Sequence, residues 1–406
     1  MVDTLKSILK PLTSLKLTIV CLSLAMVLVF IGTLAQQNLD AYYAQKKYFN
    51  TCFVWWTSGD YPDWMISHGM TWLLSWIPAG KRIPVFPGGY TLGAVFLVNL
   101  IAAHTVRFKL SWKKSGIIIA HLGLICMLVG GLFTALWAGD SRMTIAQGGT
   151  ANYAESLTKQ YELAVIDKSN PDHDVVVSIP QSFLARQIPV ENPSLPFTVK
   201  PLQYFSNSQL SPRQPGAPAQ LADKGMGVRI DVVPLPETTR PEEENFPAAF
   251  VQLQTSTGPL GTWLLWAAPF GNDLPAQSVT VNGKTFELQL RLKRFYKPYQ
   301  IQLNHLTHEI YAGTDIPKNF ASQIHLTDSQ RGENRDVLIY MNHPLRYHGE
   351  TFYQYQTLGA DDKFSVFEVV QNPSWWLPYV SCLMVGAGLI IQFGMHLVKF
   401  SKRSIA

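Results

Sequence analysis

Three histidines lie in strongly apolar stretches of the sequence: His104, His121 and His396. An ionisable side chain is costly inside a membrane, so one that is found there usually marks a functional site. Neutral imidazole is a common metal ligand and a common axial ligand of haem iron. We therefore treat His121 as the first candidate functional residue within the membrane, and His104 and then His396 as further candidates. The alternatives are a ring packed against a neighbouring helix, or a side chain that reaches from a span end to the interface.

The other residue patterns offer little catalytic chemistry. His305 and His308 have a spacing that two metal ligands use on one helical face, but their surroundings predict a strand or a loop. The chain has no G-x-S-x-G, no phosphate-binding glycine loop and no H-E-x-x-H. It also has no C-x-x-C among Cys21, Cys52, Cys126 and Cys382. We predict no catalytic residue and no separate metal site. Cys52 is a bystander or a thiol for a mixed disulfide.

Four apolar windows are long enough to cross a bilayer, which takes about 20 residues. Charged residues make up 15% of the chain, against about 25% in typical globular proteins. No signal-peptide cleavage site follows the first window, and no basic run indicates nucleic acid. The predicted spans are Leu17–Ala35, Gly88–Val106, Ser115–Gly139 and Pro373–Val398.

Basic residues near the span ends predict the orientation. They precede the first span, fill the link after the second and follow the last, which puts both termini in the cytoplasm. Lys46, Lys47, Lys81 and Arg82 lie outside in this arrangement and do not follow the rule. The predicted organisation is a first span within 1–36, an outer loop at 37–87, two spans within 88–139, an extracytoplasmic domain at 140–372 and a last span with a tail at 373–406.

The two outer regions have different patterns. Met65–Trp76 predicts a short helix on the membrane surface. Residues 140–372 predict an antiparallel β-rich domain of one or two packed sheets, with Asn282–Gly283 as a hairpin turn. Ser206–Lys224 and Pro234–Pro247 predict loops. The predicted strands include Val175–Ile179, Phe197–Tyr204, Gly227–Val233, Ala249–Gln254 and Gly261–Trp266. The expected fold class is a polytopic membrane protein with four transmembrane α-helices and this large domain.

The C-terminal third carries a specific string of residues. Tyr311-Ala-Gly-Thr-Asp-Ile-Pro317 precedes Val337-Leu-Ile-Tyr-Met-Asn-His-Pro-Leu-Arg-Tyr-His-Gly-Glu-Thr-Phe-Tyr-Gln354, and Asn372-Pro373 leads into the last span. This string resembles the ResB (CcsB) family of cytochrome c biogenesis proteins. The order of spans and outer domain is similar to that family as well, and His121-Leu-Gly-Leu resembles its third span.

The resemblance implies a role in system II cytochrome c maturation, in the bacterial plasma (inner) membrane. In that family the protein pairs with a CcsA (ResC) partner, moves haem outward and attaches it to the C-x-x-C-H thiols of apocytochrome c. The resemblance implies that His121 holds a transient b-type haem whose second ligand comes from the partner. Residues that match the family string are expected to be structural: Asn342, Pro344, Tyr347, Gly349, Tyr353 and Gln354.

Three functions follow as hypotheses. The first is the non-catalytic or co-catalytic half of a cytochrome c haem lyase, which positions apocytochrome c outside. The second is a haem-free, membrane-tethered scaffold or binding protein. The third is a b-type electron carrier with two histidine ligands, His104 and His121.

Overall fold

The computed structural model of the chain describes residues 12–57, 69–73, 80–106, 111–214, 221–240, 243–267, 277–313, 317–358 and 363–404. It divides into two compact units. The helical unit comprises residues 1–139, 239–241 and 372–406, and the β unit comprises residues 140–238 and 242–371. The helices are α1 (Leu15–Ala35), α2 (Ala41–Ala44), α3 (Gly89–Val106), α4 (Ser115–Trp137), α5 (Gln181–Ala185) and α6 (Leu377–Ser404).

Four of these helices, α1, α3, α4 and α6, are long and apolar enough to cross a membrane. The prediction of four spans is therefore confirmed. The bounds of α1 and α3 differ from it by one or two residues, α6 extends to Ser404 rather than Val398, and two further ends shift for a structural reason. Gly139 begins a strand rather than ending α4. Residues 373–376 form a turn before α6, in which the Leu377 N–H donates to the Ser374 carbonyl. Pro378 then lies in the first helical turn, where a missing N–H leaves no hydrogen bond unmade.

Glycines bring α4 and α6 into close contact. A Cβ atom on Gly388 would lie 2.5 Å from the Ala120 nitrogen, and one on Gly116 would lie 2.6 Å from the Gly388 carbonyl oxygen. Gly123 meets Val385 and the Ser381 carbonyl in the same way. Small residues at this spacing let two membrane helices approach closely.

A buried amide joins α1 to α3. Asn99 on α3 is 1% exposed, and its Nδ2 donates to the Leu12 carbonyl at 2.5 Å and the Ser14 carbonyl at 3.2 Å. Its Oδ1 accepts a hydrogen bond from the Thr18 hydroxyl at 2.6 Å. The amide thereby ties α3 to the residues that precede α1 and to Thr18 in its first turn.

The strands of the chain are β1 (Phe53–Thr57), β2 (Arg82–Pro87), β3 (Gly139–Ala146), β4 (Thr150–Ser156), β5 (Tyr161–Asp167), β6 (Val175–Pro180), β7 (Thr198–Phe205), β8 (Ser208–Pro212), β9 (Ile230–Pro234), β10 (Ala248–Thr255), β11 (Gly258–Trp266), β12 (Gln277–Val281), β13 (Lys284–Leu292), β14 (Arg294–Ile310), β15 (Pro317–Asp328), β16 (Glu333–Tyr340), β17 (Leu345–Tyr347), β18 (Glu350–Leu358) and β19 (Phe364–Gln371). Strands β1 and β2 pair within the helical unit.

The described part of the β unit contains four sheets rather than one or two. Their strand orders are β11-β10-β7, β12-β13-β5-β6, β16-β15-β14-β4-β3-β19-β18-β17 and β8-β9. One core, around Leu163, Val251 and Phe286, collects side chains from the three- and four-stranded sheets. A second core, around Ile301 and Phe352, belongs to the eight-stranded sheet. The prediction of a large antiparallel β-rich domain is confirmed.

The structure confirms some of the predicted strands and turns and contradicts others. Asn282 and Gly283 take φ of 53° and 78°, the left-handed pair that a tight hairpin requires, between β12 and β13. The predicted strand start at Gly227 is wrong, because Gly225–Val228 is a 3-10 turn that packs closely beneath Leu264. The predicted loop Ser206–Lys224 is wrong at β8, which pairs with β9 despite its terminal proline. The predicted surface helix Met65–Trp76 lies largely outside the described residues; Met70–Leu73 within it is a 3-10 turn.

Candidate functional site

The structure brings His104 and His121 together. The imidazole ring of His104, near the end of α3, and that of His121, in the second turn of α4, have centroids 4.7 Å apart at an interplanar angle of 49°. Both side chains are half-buried. The sequence put the two histidines in consecutive predicted spans but did not predict this ring contact.

Each ring is oriented by the helix that carries it. The Nδ1 atom of His104 lies 2.9 Å from the Leu100 carbonyl, and that of His121 lies 2.7 Å from the Ile117 carbonyl. A carbonyl only accepts, so Nδ1 of each neutral ring carries the proton. The lone pair is then on Nε2, the nitrogen that would bind a metal, and a carbonyl on the other nitrogen is the usual support of a metal-bound histidine.

The packing of α4 explains why His121 faces α3. Gly116, Ala120 and Gly123 follow one face of the helix at intervals of four and three residues, and that face meets α6. His121 follows Ala120 by one residue and is therefore rotated from that face by about 100°. The glycine contact thus determines the direction of the ring.

The ring separation discriminates between two modes of iron binding. Two imidazoles on opposite faces of one metal ion have centroids about 6 Å apart, because each metal–nitrogen bond is about 2 Å and each centroid lies about 1 Å beyond it. The observed 4.7 Å is shorter, so no iron fits between the rings as they stand. As the rings stand, a metal ion could be bound by only one of them.

The third membrane histidine lies apart from this pair. His396 is on an exposed part of α6, and its Nε2 lies 2.9 Å from the Gln392 side-chain nitrogen. It makes a local contact within its own helix. His68 lies outside the described residues.

The described histidines of the β unit make separate local contacts. His308 on β14 stacks on Phe320 with centroids 4.4 Å apart, and His343 stacks on Tyr340 at 4.1 Å. His325 contacts Asp336 at 2.7 Å, and this hydrogen bond raises its pKa. His305 and His308 lie on a strand, as their surroundings predict. Among the described residues, no group of three His, Cys, Asp or Glu side chains could hold a metal ion.

The residues of the family string form turns and polar contacts. Asn342, with φ of 64°, turns the chain after β16, and His348 with Gly349 forms a two-residue turn between β17 and β18. The Gln354 side chain accepts a hydrogen bond from Ser322 at 2.7 Å and donates to Ser365 at 3.1 Å. Pro344 is half-buried and Tyr353 is exposed. The structural role of these residues stays a prediction.

A buried polar network beside the His348 turn was missed by sequence reasoning. Glu350 accepts hydrogen bonds from Lys297 and from the Tyr299 hydroxyl, the latter at 2.5 Å. The Tyr347 hydroxyl donates to Asp328 at 2.6 Å and holds the pKa of that carboxyl below its usual value. Burial, and next the contact with Asp328, raise the pKa of Tyr347 to about 12. The family string contained Tyr347 and Glu350, but their partners lie elsewhere in the chain.

The cysteines are free thiols. Cys52 is exposed just before β1, Cys21 is buried in α1, Cys126 is half-buried in α4 and Cys382 is exposed on α6. No described pair is bonded, so the structure gives these side chains no redox partner within the chain.

The fold and the site define a polytopic membrane protein with a histidine pair between two of its helices and a large antiparallel β domain. A family model for the ResB-like family matches residues 274–363, a segment that includes β12 to β18 and the string quoted above. No curated protein matches the chain. This part of the β unit is thus similar to the ResB-like family, and the similarity supports a role in cytochrome c biogenesis within a membrane complex.

Proposed function

We propose that the chain is the haem-holding, non-catalytic or co-catalytic half of a cytochrome c haem attachment complex. Haem, the substrate, is held by His121 together with a CcsA-type membrane partner that supplies the second ligand. The large domain lies outside the plasma membrane and positions apocytochrome c there. Both chain termini are cytoplasmic. The observation that carries this proposal is the His104–His121 contact inside apolar helices of a ResB-like chain.

The chemistry of the two rings supports a holding role. Haem supplies the iron that an imidazole Nε2 binds and the vinyl groups that thiols of apocytochrome c attack. His121 contributes a ring whose proton is kept on Nδ1 by the Ile117 carbonyl, so that Nε2 can bind without losing a proton. The His104 ring packs against the His121 ring and covers part of its surface. No residue of the described site performs the thioether chemistry, so positioning is the contribution of this chain.

The test is the visible spectrum of the full-length protein, purified alone and with a CcsA-type partner. We expect a reduced haem spectrum only with the partner, and expect His121→Ala to abolish it. His121→Gly with added imidazole should restore it, because free imidazole can replace the lost ring. His396→Ala is the matched control, since that ring is exposed on another helix.

Two outcomes would favour the other hypotheses. Haem bound by the isolated chain and lost equally in His104→Ala and His121→Ala would indicate the two-histidine electron carrier. That result would require the rings to separate from the 4.7 Å of the structure. A haem-free preparation in every case, with cytochrome c maturation still dependent on the chain, would indicate the scaffold.

A further inference from the structure

Strand β6 is an edge of the four-stranded sheet as the structure describes it, and its only proline, a residue that protects sheet edges, is its last residue, Pro180. It pairs with β5 on one side, from Asp167↔Val175 to Glu162↔Pro180, and is last in the strand order of the described sheet. Its sequence Val-Val-Val-Ser-Ile-Pro contains no charged residue. Natural proteins usually protect a sheet edge with charged side chains, bulges or covering segments, because its backbone groups can pair with another chain.

Two other sheet edges in the described chain are protected. Strand β16, at one end of the eight-stranded sheet, carries Glu333, Arg335 and Asp336. The first residue of β12, at the opposite edge from β6, is fixed by side-chain hydrogen bonds: Gln277 accepts from the Met226 N–H and donates to the Leu264 carbonyl. Among the described residues, β6 has no charged side chain, and no side-chain hydrogen bond fixes its first residue.

An open depression of about 410 Å³ lies at the beginning of β6, lined by Asp167, Asn170, His173, Val175 and Lys284 among others. Val175 is 43% exposed there, although Val177 and Ile179, two and four residues further on, are buried in the core. Val175 therefore presents an apolar side chain to the depression, at the exposed end of the core-facing row of β6.

The surroundings of the depression are acidic. Lys284 pairs with Asp167 at 2.9 Å, and Lys168 pairs with Glu287 at 2.6 Å. Asp172 and Asp174 add two further carboxylates, so that four acidic side chains face two lysines, on a chain whose net charge is +5. Hydrogen bonds from Ser169 and then Lys284 lower the pKa of Asp167 to about 2, so this carboxylate stays ionised at neutral pH.

We propose that β6 receives an extended, basic polypeptide segment as an additional strand. Main-chain hydrogen bonds to β6 supply the affinity, an apolar side chain enters the depression beside Val175, and basic side chains meet Asp172 and Asp174. This inference rests on the proposed function, in which the large domain positions apocytochrome c. The basic segment would then come from that polypeptide.

The test uses a fluorescein-labelled eight-residue peptide that alternates valine with lysine, added to the full-length protein in detergent, with binding followed by anisotropy. N-methylation of one alternate set of peptide nitrogens should abolish binding, and methylation of the other set should not. This asymmetry arises because every second N–H of a strand faces its neighbour. A peptide with glutamate in place of lysine should not bind.

Variants of the chain test the location. Asp172→Asn with Asp174→Asn should weaken peptide binding by about 5- to 20-fold at low salt, and added salt should reduce that difference. Glu244→Gln is the control, an exposed carboxylate on another segment. Equal binding by both N-methylated peptides, or no effect of the double variant, would overturn the assignment to β6.

The proposed haem site and the proposed peptide site can be tested independently of each other. His104→Ala and His121→Ala should leave peptide binding unchanged, because both belong to the helical unit. Haem binding without peptide binding would reject the β6 inference and leave the proposed function standing. Peptide binding by a protein that binds no haem under any condition would support the β6 inference and reject the haem-holding function.

Discussion

The contact of α4 with α6 at Gly388 makes the sharpest prediction about stability. A Cβ atom there would lie 2.5 Å from the Ala120 nitrogen and 2.6 Å from the Gly116 carbonyl oxygen, whereas ordinary contact begins at 3.4 Å. Both neighbours are backbone atoms, so rotating a side chain cannot relieve the overlap. In Gly388→Ala the two helices must separate by about 1 Å, and overpacking of this size costs about 1–3 kcal/mol.

The matched control is on the same helix. A Cβ atom at Gly386 meets nothing within 4 Å. Both substitutions exchange glycine for alanine in a helix, so both gain the same intrinsic helix propensity. The difference in stability between Gly388→Ala and Gly386→Ala therefore isolates the overlap.

Thermal unfolding of the purified protein in detergent, followed by tryptophan fluorescence, measures this difference. We expect Gly388→Ala to unfold at a lower temperature than Gly386→Ala and wild type. Equal unfolding temperatures for the two variants would refute the close approach of α4 and α6, and with it the explanation of how His121 is directed toward α3.

Three further predictions concern the β unit. Glu350→Gln should destabilise the protein by about 3–5 kcal/mol in chemical unfolding, because Lys297, with 8% of its side chain exposed, is left as an uncompensated buried charge; Glu350→Gln with Lys297→Met should recover part of the loss. Asp167, with a pKa of about 2 against an ordinary 3.8, should stabilise the fold above about pH 4 and lose that contribution as the pH falls toward 2; the difference in stability between wild type and Asp167→Asn, measured against pH, should vanish over that window. Gly283→Ala should cost about 1 kcal/mol or more because φ there is 78°, whereas Gly283→Asn should cost less, and equal losses in thermal unfolding would contradict the turn assignment.

The sequence predicts features that depend on short stretches of chain. Each spanning helix follows from an apolar window, because every backbone polar group in a membrane helix is satisfied within the helix itself. The turn at Asn282–Gly283 follows from two residues that tolerate positive φ. The turn at His348–Gly349 has the same geometry, but histidine is a weak signal for a left-handed backbone.

Features that depend on distant residues could not be predicted. Strand β8 forms only because β9 pairs with it from beyond the proline-rich segment, and local composition favoured a loop. The number of sheets follows from pairings such as β13 with β5, whose partners lie far apart in sequence. The network at Glu350 likewise requires Lys297 and Tyr299 on another strand.

The histidine pair depends both on local sequence, which puts each ring in an apolar helix, and on distant contacts, which bring the two helices together. The glycine face fixes α4 against α6, and Asn99 fixes α3 to the beginning of α1. In contrast, Gly93 on α3 has nothing within 4 Å of a Cβ atom, so it provides no close helix contact of this kind. His104 and His121 therefore meet at the boundary between two internally tied helix pairs, α1 with α3 and α4 with α6. Separating the rings to the distance that iron requires disrupts neither the Asn99 hydrogen bonds nor the glycine contact. We therefore expect a ligand or partner that enters at this boundary to reach His121 without breaking the contacts that hold each helix pair together.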